Sequence, residues 1–256
     1  MIYMELYLKL IIIIGAILLF LLIIYMAFMY KVFLAYAKRT KETSLLDLDL
    51  SKTHYAPYIE KINKNINEAV RLEYEDAYIT SFDNLKLYAK FYRGNSDKYV
   101  ILVHGYKATP YNNFATQLLS FLKHDFNVLL IYQRAHGESE GKYITFGVNE
   151  ARDLDLWIRY LEDNKNAKKI ILYGTSMGAA TVILSDAKYP HDTVKLLVDD
   201  CGFDSLYNMI KLTLKPKHIM AFMVAPMVNL YYKIFSKISF IKDAPIKYIN
   251  DIKKPI

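Results

Sequence analysis

The stretch from residue 170 to 187 constrains the fold more than any other part of the chain. Ile170, Ile171, Leu172 and Tyr173 form a short apolar run of β-branched and aromatic residues, as a strand does, whereas Ala179, Ala180, Ile183, Leu184 and Ala187 recur with helical spacing. Only Gly174, Thr175 and Ser176 separate the two patterns. A strand that enters a helix through so short a turn crowds the backbone two residues before and two after its centre, which is where Gly174 and Gly178 stand. The bend lifts the Ser176 hydroxyl clear of a sheet. It also sets it at a helix N-terminus, where free N–H groups and the positive end of the helix dipole can stabilise an oxyanion. The alternative is a βα turn with two convenient glycines and a surface serine.

Residues 10–30 are 21 consecutive uncharged, almost wholly apolar residues, which as a helix rise about 30 Å, the thickness of a bilayer's hydrocarbon core. This predicts a single transmembrane helix within an anchor of residues 1–39, with the lipid bilayer as partner of residues 10–30. Tyr3, Tyr7, Tyr25 and Tyr30 lie near its ends, as interfacial aromatics do. The competing identity is a cleaved signal, since Ala35 and Ala37 form a small-x-small site. Against that, the run is long for such a signal and only Lys9 is basic before it. Lys31, Lys38, Arg39 and Lys41 after the span place the following domain on the cytoplasmic side by the positive-inside rule, an extracellular domain being the alternative.

The rest of the chain is read as a stalk or docking helix at 40–72 and one α/β domain at 73–256. After Pro57 an amphipathic helix carries Ile59, Ile62, Ile66, Ala69 and Val70 on one side. A hairpin is expected at 76–93, turning at Phe82, Asp83 and Asn84. Strands at 99–103, 127–132, 170–173 and 194–198 then alternate with helices at 113–123 and 148–161, the rhythm of right-handed βαβ units in a mostly parallel sheet. Residues 204–250 read as two or three cap-like helices whose Met209, Met223, Met227 and Phe235 suit either a cover over a substrate pocket or ordinary core. The net charge of +7 comes from lysines spread along the whole chain, a solvated surface and no nucleic-acid stripe. The six histidines are scattered and there is one cysteine, Cys201, so no metal-ligand cluster and no cofactor are implied.

With the bend placed, five stretches in order resemble the α/β-hydrolase family, in particular membrane-anchored bacterial hydrolases related to serine aminopeptidases and acyl-esterases. They are Val103-His104-Gly105-Tyr106, the loop from Tyr132 to Gly141 that contains Arg134 and His136, the segment 147–153, Gly174 to Gly178, and Asp200-Cys201-Gly202 with Ser205. The resemblance covers residues 76–256. It implies a nucleophile at Ser176, an oxyanion hole built from the backbone N–H of Met177 and of Tyr106, turn support from His104, Gly105, Gly174 and Gly178, and a small-molecule or acyl substrate. Gln133 and Ala135 depart from the family's aspartate and glycine. His104 and His136 are read as structural hydrogen-bonders, because each precedes the nucleophile in chain order.

A serine needs a base oriented by a carboxylate, and in this family acid and histidine follow the later strands. The sequence stops at Ile256, where relatives begin the seventh strand, so the chain is expected to be a truncated, inactive form, a fragment or an interrupted gene. Asp200 and His218 form a substitute pair in the right order on paper. Strand six is expected to be an open edge, which a strand-donating partner chain could cover. A non-catalytic, membrane-tethered binding or scaffold protein is the alternative function.

Overall fold

The computed structural model describes residues 2–39, 45–47, 51–53, 55–214 and 218–256. Helix α1 (Ile2–Ala37) and helix α2 (Ile59–Ala69) precede a hairpin of β1 (Glu75–Thr80) and β2 (Lys86–Tyr92). Then follow β3 (Lys98–Val103), α3 (Pro110–Lys123), β4 (Asn127–Ile131), α4 (Val148–Lys165), β5 (Lys169–Thr175), α5 (Met177–Lys188), β6 (Val194–Asp200), α6 (Leu206–Thr213) and α7 (His218–Ser236). Two short 3-10 turns, Pro245–Lys247 and Ile249–Asp251, close the described chain. The six strands form one sheet in the order β1-β2-β4-β3-β5-β6. Strands β4, β3, β5 and β6 are parallel, β2 runs antiparallel to β4 and β1 antiparallel to β2, so the sheet is mixed and mostly parallel, as the resemblance implies.

Successive strand residues point to opposite faces, and the continuous apolar runs of β3 and β4 therefore supply two cores. Val100, Leu102, Val128 and Leu130 pack with Phe114 and Leu118 of α3 and with Ile66 and Ala69 of α2. Ile101, Val103, Leu129 and Ile131 pack on the other face with Leu154, Trp157 and Ile158 of α4 and Val182 of α5. Helix α2 also meets α3 through Asn65, which donates to Thr116 Oγ1 at 2.8 Å. The part of the stalk at 40–44, 48–50 and residue 54 lies outside the described residues.

Three expectations are corrected. Helix α5 has no solvent face along most of its length: residues 177–186 are all buried. It is wedged between the sheet, α4 and the C-terminal 3-10 turns, so helical periodicity in the sequence marked only part of its contact surface. Helix α1 continues past residue 30 to Ala37, and its last third turns inward. Met29, Phe33 and Ala37 are buried in a third core with Tyr231, Tyr232 and Phe240, and Tyr25 and Tyr30 pack against that core. These two tyrosines therefore face the domain. Residues 3–24 of α1 remain exposed. Lastly, the β6 edge is partly occupied: Leu197 N–H donates to the Pro255 carbonyl at 3.0 Å, and Lys254 pairs with Asp186 at 2.5 Å. Ile252 packs against the α4 core.

Trp157 is the largest fully buried side chain and joins α4 to the sheet. Trp157→Ala is expected to lower unfolding free energy by about 3–5 kcal/mol in a denaturant titration. A loss below about 1 kcal/mol would contradict this packing.

Candidate active site

The loops that follow β3, β4, β5 and β6 all emerge at the carboxyl ends of parallel strands, the side of such a sheet on which ligands bind. Ser176 sits there, between the last residue of β5 and the first of α5, with φ 54° and ψ −112°. A side-chain-bearing residue holds such a backbone only when its surroundings fix it. The glycines show how. A Cβ on Gly174 would overlap the Gly178 carbonyl, and a Cβ on Gly178 would overlap the carbonyl of Val103 at the end of β3. The Ser176 N–H donates to the Asp200 carbonyl at 2.8 Å, which ties the bend to β6 as well. Ser176 is partly exposed and the strand runs directly into the helix.

The loop after β3 lies alongside. Gly105 N–H donates to Asn113 Oδ1 at 2.7 Å, and a Cβ on Gly105 would stand 3.5 Å from Ser176 Cβ. Tyr106 follows at once, and Lys107 has φ 51°, so the backbone turns sharply beside the serine. Met177 is the first residue of α5, where a helix N–H has no partner within the helix. Tyr106 and Met177 thus each follow a strand end, and the two strand ends meet at Ser176.

His104 and His136 brace this loop pair and are not poised as bases. His104 Nε2 accepts from Gln133 N–H at 3.0 Å and its Nδ1 lies 2.8 Å from the Gly105 carbonyl. His136 Nε2 accepts from Lys107 N–H at 3.0 Å and its Nδ1 lies 2.9 Å from the Arg134 carbonyl. Each ring therefore carries its proton on Nδ1 and has both nitrogens occupied. Burial, then the neighbouring His136, holds His104 well below the ordinary histidine range, and burial brings His136 down to about 4. Gln133 spans the same region: its Nε2 donates to the His104 carbonyl at 2.5 Å and its Oε1 accepts from Thr181 Oγ1 at 3.0 Å. An amide supplies both a donor and an acceptor here, which a carboxylate at this position could not do in its ionised form.

Two further groups hold the loops and had no distinct signal in the sequence beyond the resemblance. Arg134, buried, makes paired hydrogen bonds to Asp153 (2.6 and 2.8 Å) and to Asp83 (3.0 and 3.1 Å), joining the loop after β4 to α4 and the hairpin turn. Glu150, also buried, accepts from Thr145 N–H at 2.7 Å and Gly147 N–H at 2.9 Å and closes the start of α4. A further tie is unexpected: the loops after β3 and β4 cap the end of α1. Tyr106 Oη donates to the Tyr36 carbonyl at 2.8 Å, Lys107 Nζ to the Ala35 carbonyl at 2.9 Å, and Ile144 N–H to the Ala37 carbonyl at 2.7 Å. Burial, then Tyr36, pushes the Tyr106 phenol up to about 12, so it stays a donor at neutral pH.

Half of the expected substitute pair of Asp200 and His218 lies outside the described residues. The Asp200 carboxylate lies 3.4 Å from Thr175 Oγ1, and the side chain of His218, which opens α7, lies outside the described residues. His191 precedes β6, at the opposite end of the parallel strands from Ser176, and is held between Asp155 (2.7 Å) and Glu162 (3.1 Å). Among the described residues no imidazole is hydrogen-bonded to Ser176 or to the Asp200 carboxylate. Burial, outweighing the Ser176 backbone N–H, raises the Cys201 thiol, which argues against a thiolate nucleophile there.

Because His104 and His136 are neutral when folded and titrate near 6.5 when unfolded, the unfolded chain binds more protons between those values. Stability is therefore full above about pH 6.5 and falls as pH drops toward 4, by about 3 kcal/mol for His136 alone. Denaturant melts from pH 7.5 to 4 measure this, and an unchanged midpoint between pH 7 and 5 contradicts two buried neutral imidazoles.

Comparison with known proteins places the chain in a family. The family described as Hydrolase_4: Serine aminopeptidase, S33 matches residues 94–232, more than half of the chain. The uncharacterized protein YqkD of Bacillus subtilis (strain 168) is 26% identical over 159 residues, which are 61% of this chain and 52% of that protein. The chain thus spans about half the length of this curated relative. Among solved structures, the esterase Pf2001 of Pyrococcus furiosus superposes with a TM-score of 0.57 at 27% identity, covering 84% of this chain and 75% of that one. An α/β-hydrolase from Vibrio vulnificus gives a TM-score of 0.57 at 19% identity over 84% of this chain and 76% of its own, a likeness of fold alone. The chain belongs to the serine aminopeptidase (S33) family of α/β-hydrolases, a family of serine hydrolases.

Proposed function

We propose that this chain is a membrane-anchored serine hydrolase that cleaves an ester, thioester or amide through an acyl-enzyme on Ser176. Oγ bonds to the substrate carbonyl carbon, the carbonyl electron pair moves onto oxygen, and the N–H groups of Met177 and Tyr106 receive that charge. Collapse expels the alcohol, thiol or amine, which leaves with the proton given up by Ser176 Oγ; water then adds to the acyl carbon, returns a proton to Oγ and releases the acid. The observation that carries this reading is the backbone of Ser176, φ 54° and ψ −112°, held partly exposed at the start of α5. Removing one such oxyanion donor typically costs about 3 kcal/mol of transition-state stabilisation.

Anchoring is supported by α1, which is long and apolar enough to cross a membrane by length and composition, with residues 3–24 exposed. A signal cleaved after Ala37 would strip Met29 and Phe33 from their core and remove the carbonyls that Tyr106 and Lys107 cap. Retention of α1 is therefore the reading favoured here, with the basic cluster Lys31, Lys38, Arg39 and Lys41 on the cytoplasmic side.

A second reading, a membrane-tethered binding protein that keeps the hydrolase fold, is favoured by one observation: no described imidazole is hydrogen-bonded to Ser176. Loss of a triad member leaves an oxyanion site with residual catalysis, lowered by several powers of ten. Prolonged incubation of the full chain with a fluorophosphonate, followed by mass spectrometry, separates the two. A serine hydrolase gives one adduct, on the peptide containing Ser176, that is absent from Ser176→Ala. A folded chain that gives no adduct there favours the binding protein.

A further inference from the structure

A cavity of about 350 Å³ lies between α1, α6 and α7, within the size range of ligand pockets. Phe28 and Val32 of α1, Met209 of α6, Val228 and Tyr232 of α7, and Tyr106 line it, so the N-terminal helix supplies one wall and the loop beside Ser176 another. Its lining is almost wholly apolar. Thr213 and the tyrosines Tyr36, Tyr106 and Tyr232 bring its few polar groups.

The cavity's depth relative to a bilayer follows from α1. The exposed apolar part, residues 10–24, is 15 residues long, which rise about 22 Å and leave about 8 Å of a ~30 Å hydrocarbon core unspanned. Residues 25–30 would fill that gap, but they are fastened to α7: Tyr25 Oη donates to the Met223 carbonyl at 2.9 Å, and Tyr231 Oη to the Met26 carbonyl at 2.7 Å. Helix α7 therefore enters the bilayer's outer layer together with them. Its free face suits that position, with Phe222 74% and Met223 51% exposed, and Leu212 of α6 beside it 57% exposed. Isolated exposed apolar residues need no explanation, but a group continuous with a membrane-length helix does. The wall from Phe28 to Tyr36 then runs from the hydrocarbon edge toward Tyr106.

We infer that this cavity is an acyl-chain site that opens sideways to the bilayer, and that the substrate is a fatty acyl ester of a membrane lipid. The chain passes along α1 from the hydrocarbon and brings its ester carbonyl to Ser176. The inference rests on the anchored-hydrolase reading for its chemistry, and on the cavity and helix geometry for its route.

The test uses the full chain in phosphatidylcholine nanodiscs and a palmitic acid analogue with a diazirine at its far end, with photo-crosslinks mapped by mass spectrometry. Crosslinks are expected on the peptides that contain Met209 and Val228. Excluding even two methylenes lowers occupancy about tenfold, so Val228→Trp and Met209→Trp should each reduce those crosslinks at least that much while leaving crosslinks on residues 11–24 unchanged. Met209 is 42% exposed and tolerates the larger ring, which keeps the test valid if Val228→Trp fails to fold. Crosslinks confined to residues 11–24, or cavity crosslinks indifferent to a folded filling variant, overturn the inference. Ser176→Ala should leave crosslinking intact. Intact cavity crosslinks in a chain that forms no phosphonate adduct remove the hydrolase reading and leave a lipid-binding site.

Discussion

The contact on which the rest of the structure depends is the approach of the first turn of α5 to the end of β3. Gly178 lies so close to the Val103 carbonyl that no side chain fits, and Gly174 stands equally close to Gly178. That approach leaves the intervening residues too little chain for a relaxed turn, and Ser176 takes the strained backbone. The strain is held by cores on both sheet faces: α4 and α5 on one, α2 and α3 on the other. It is also held by a polar frame, in which Gln133 ties the loops after β3 and β4 to α5 while the two histidines fill the space beneath. Buried polar groups of this kind cost stability when left without a partner, and here each ring nitrogen and both polar atoms of the amide have one.

The N-terminal helix is part of this frame as well as a candidate anchor. A helix ends with carbonyls that need partners, and those of Ala35, Tyr36 and Ala37 find them in Lys107, Tyr106 and Ile144. Arg39, just beyond, donates to the carbonyls of Ser139 and Gly137 in the loop after β4. Phe33 sits at the centre of an aromatic cluster with Tyr143, Tyr231, Tyr232 and Phe235. The position of the loop beside Ser176 is therefore linked mechanically to a helix whose other half is exposed and apolar. A change in how that helix sits reaches the backbone N–H of Tyr106 through a single residue.

Much of this was legible in the chain because it is written in local patterns. The bend at Ser176 shows in the spacing of Gly174 and Gly178, the two-faced sheet in unbroken apolar runs, and the docking of α2 in its amphipathic spacing. What escaped is long-range. Nothing near Tyr106 or Lys107 signals that their side chains meet carbonyls some seventy positions earlier, as the pairs Tyr106 with Tyr36 and Lys107 with Ala35 do. Gln133 stood out only as a departure from a family pattern, and its double hydrogen bond explains how that departure is accommodated. The apolar run at 10–30 spoke for membrane along its whole length, yet Tyr25, Met26, Met29 and Tyr30 pack on α7, because apolar composition alone does not separate lipid from protein as a solvent.

A crystal structure of the paraoxon-treated chain tests the central claim most directly. A phosphoryl group on Ser176 with its free oxygen about 2.7–3.1 Å from the backbone nitrogens of Met177 and Tyr106 is the expected result. An adduct on another side chain, or a phosphoryl oxygen turned away from both nitrogens toward solvent, contradicts it.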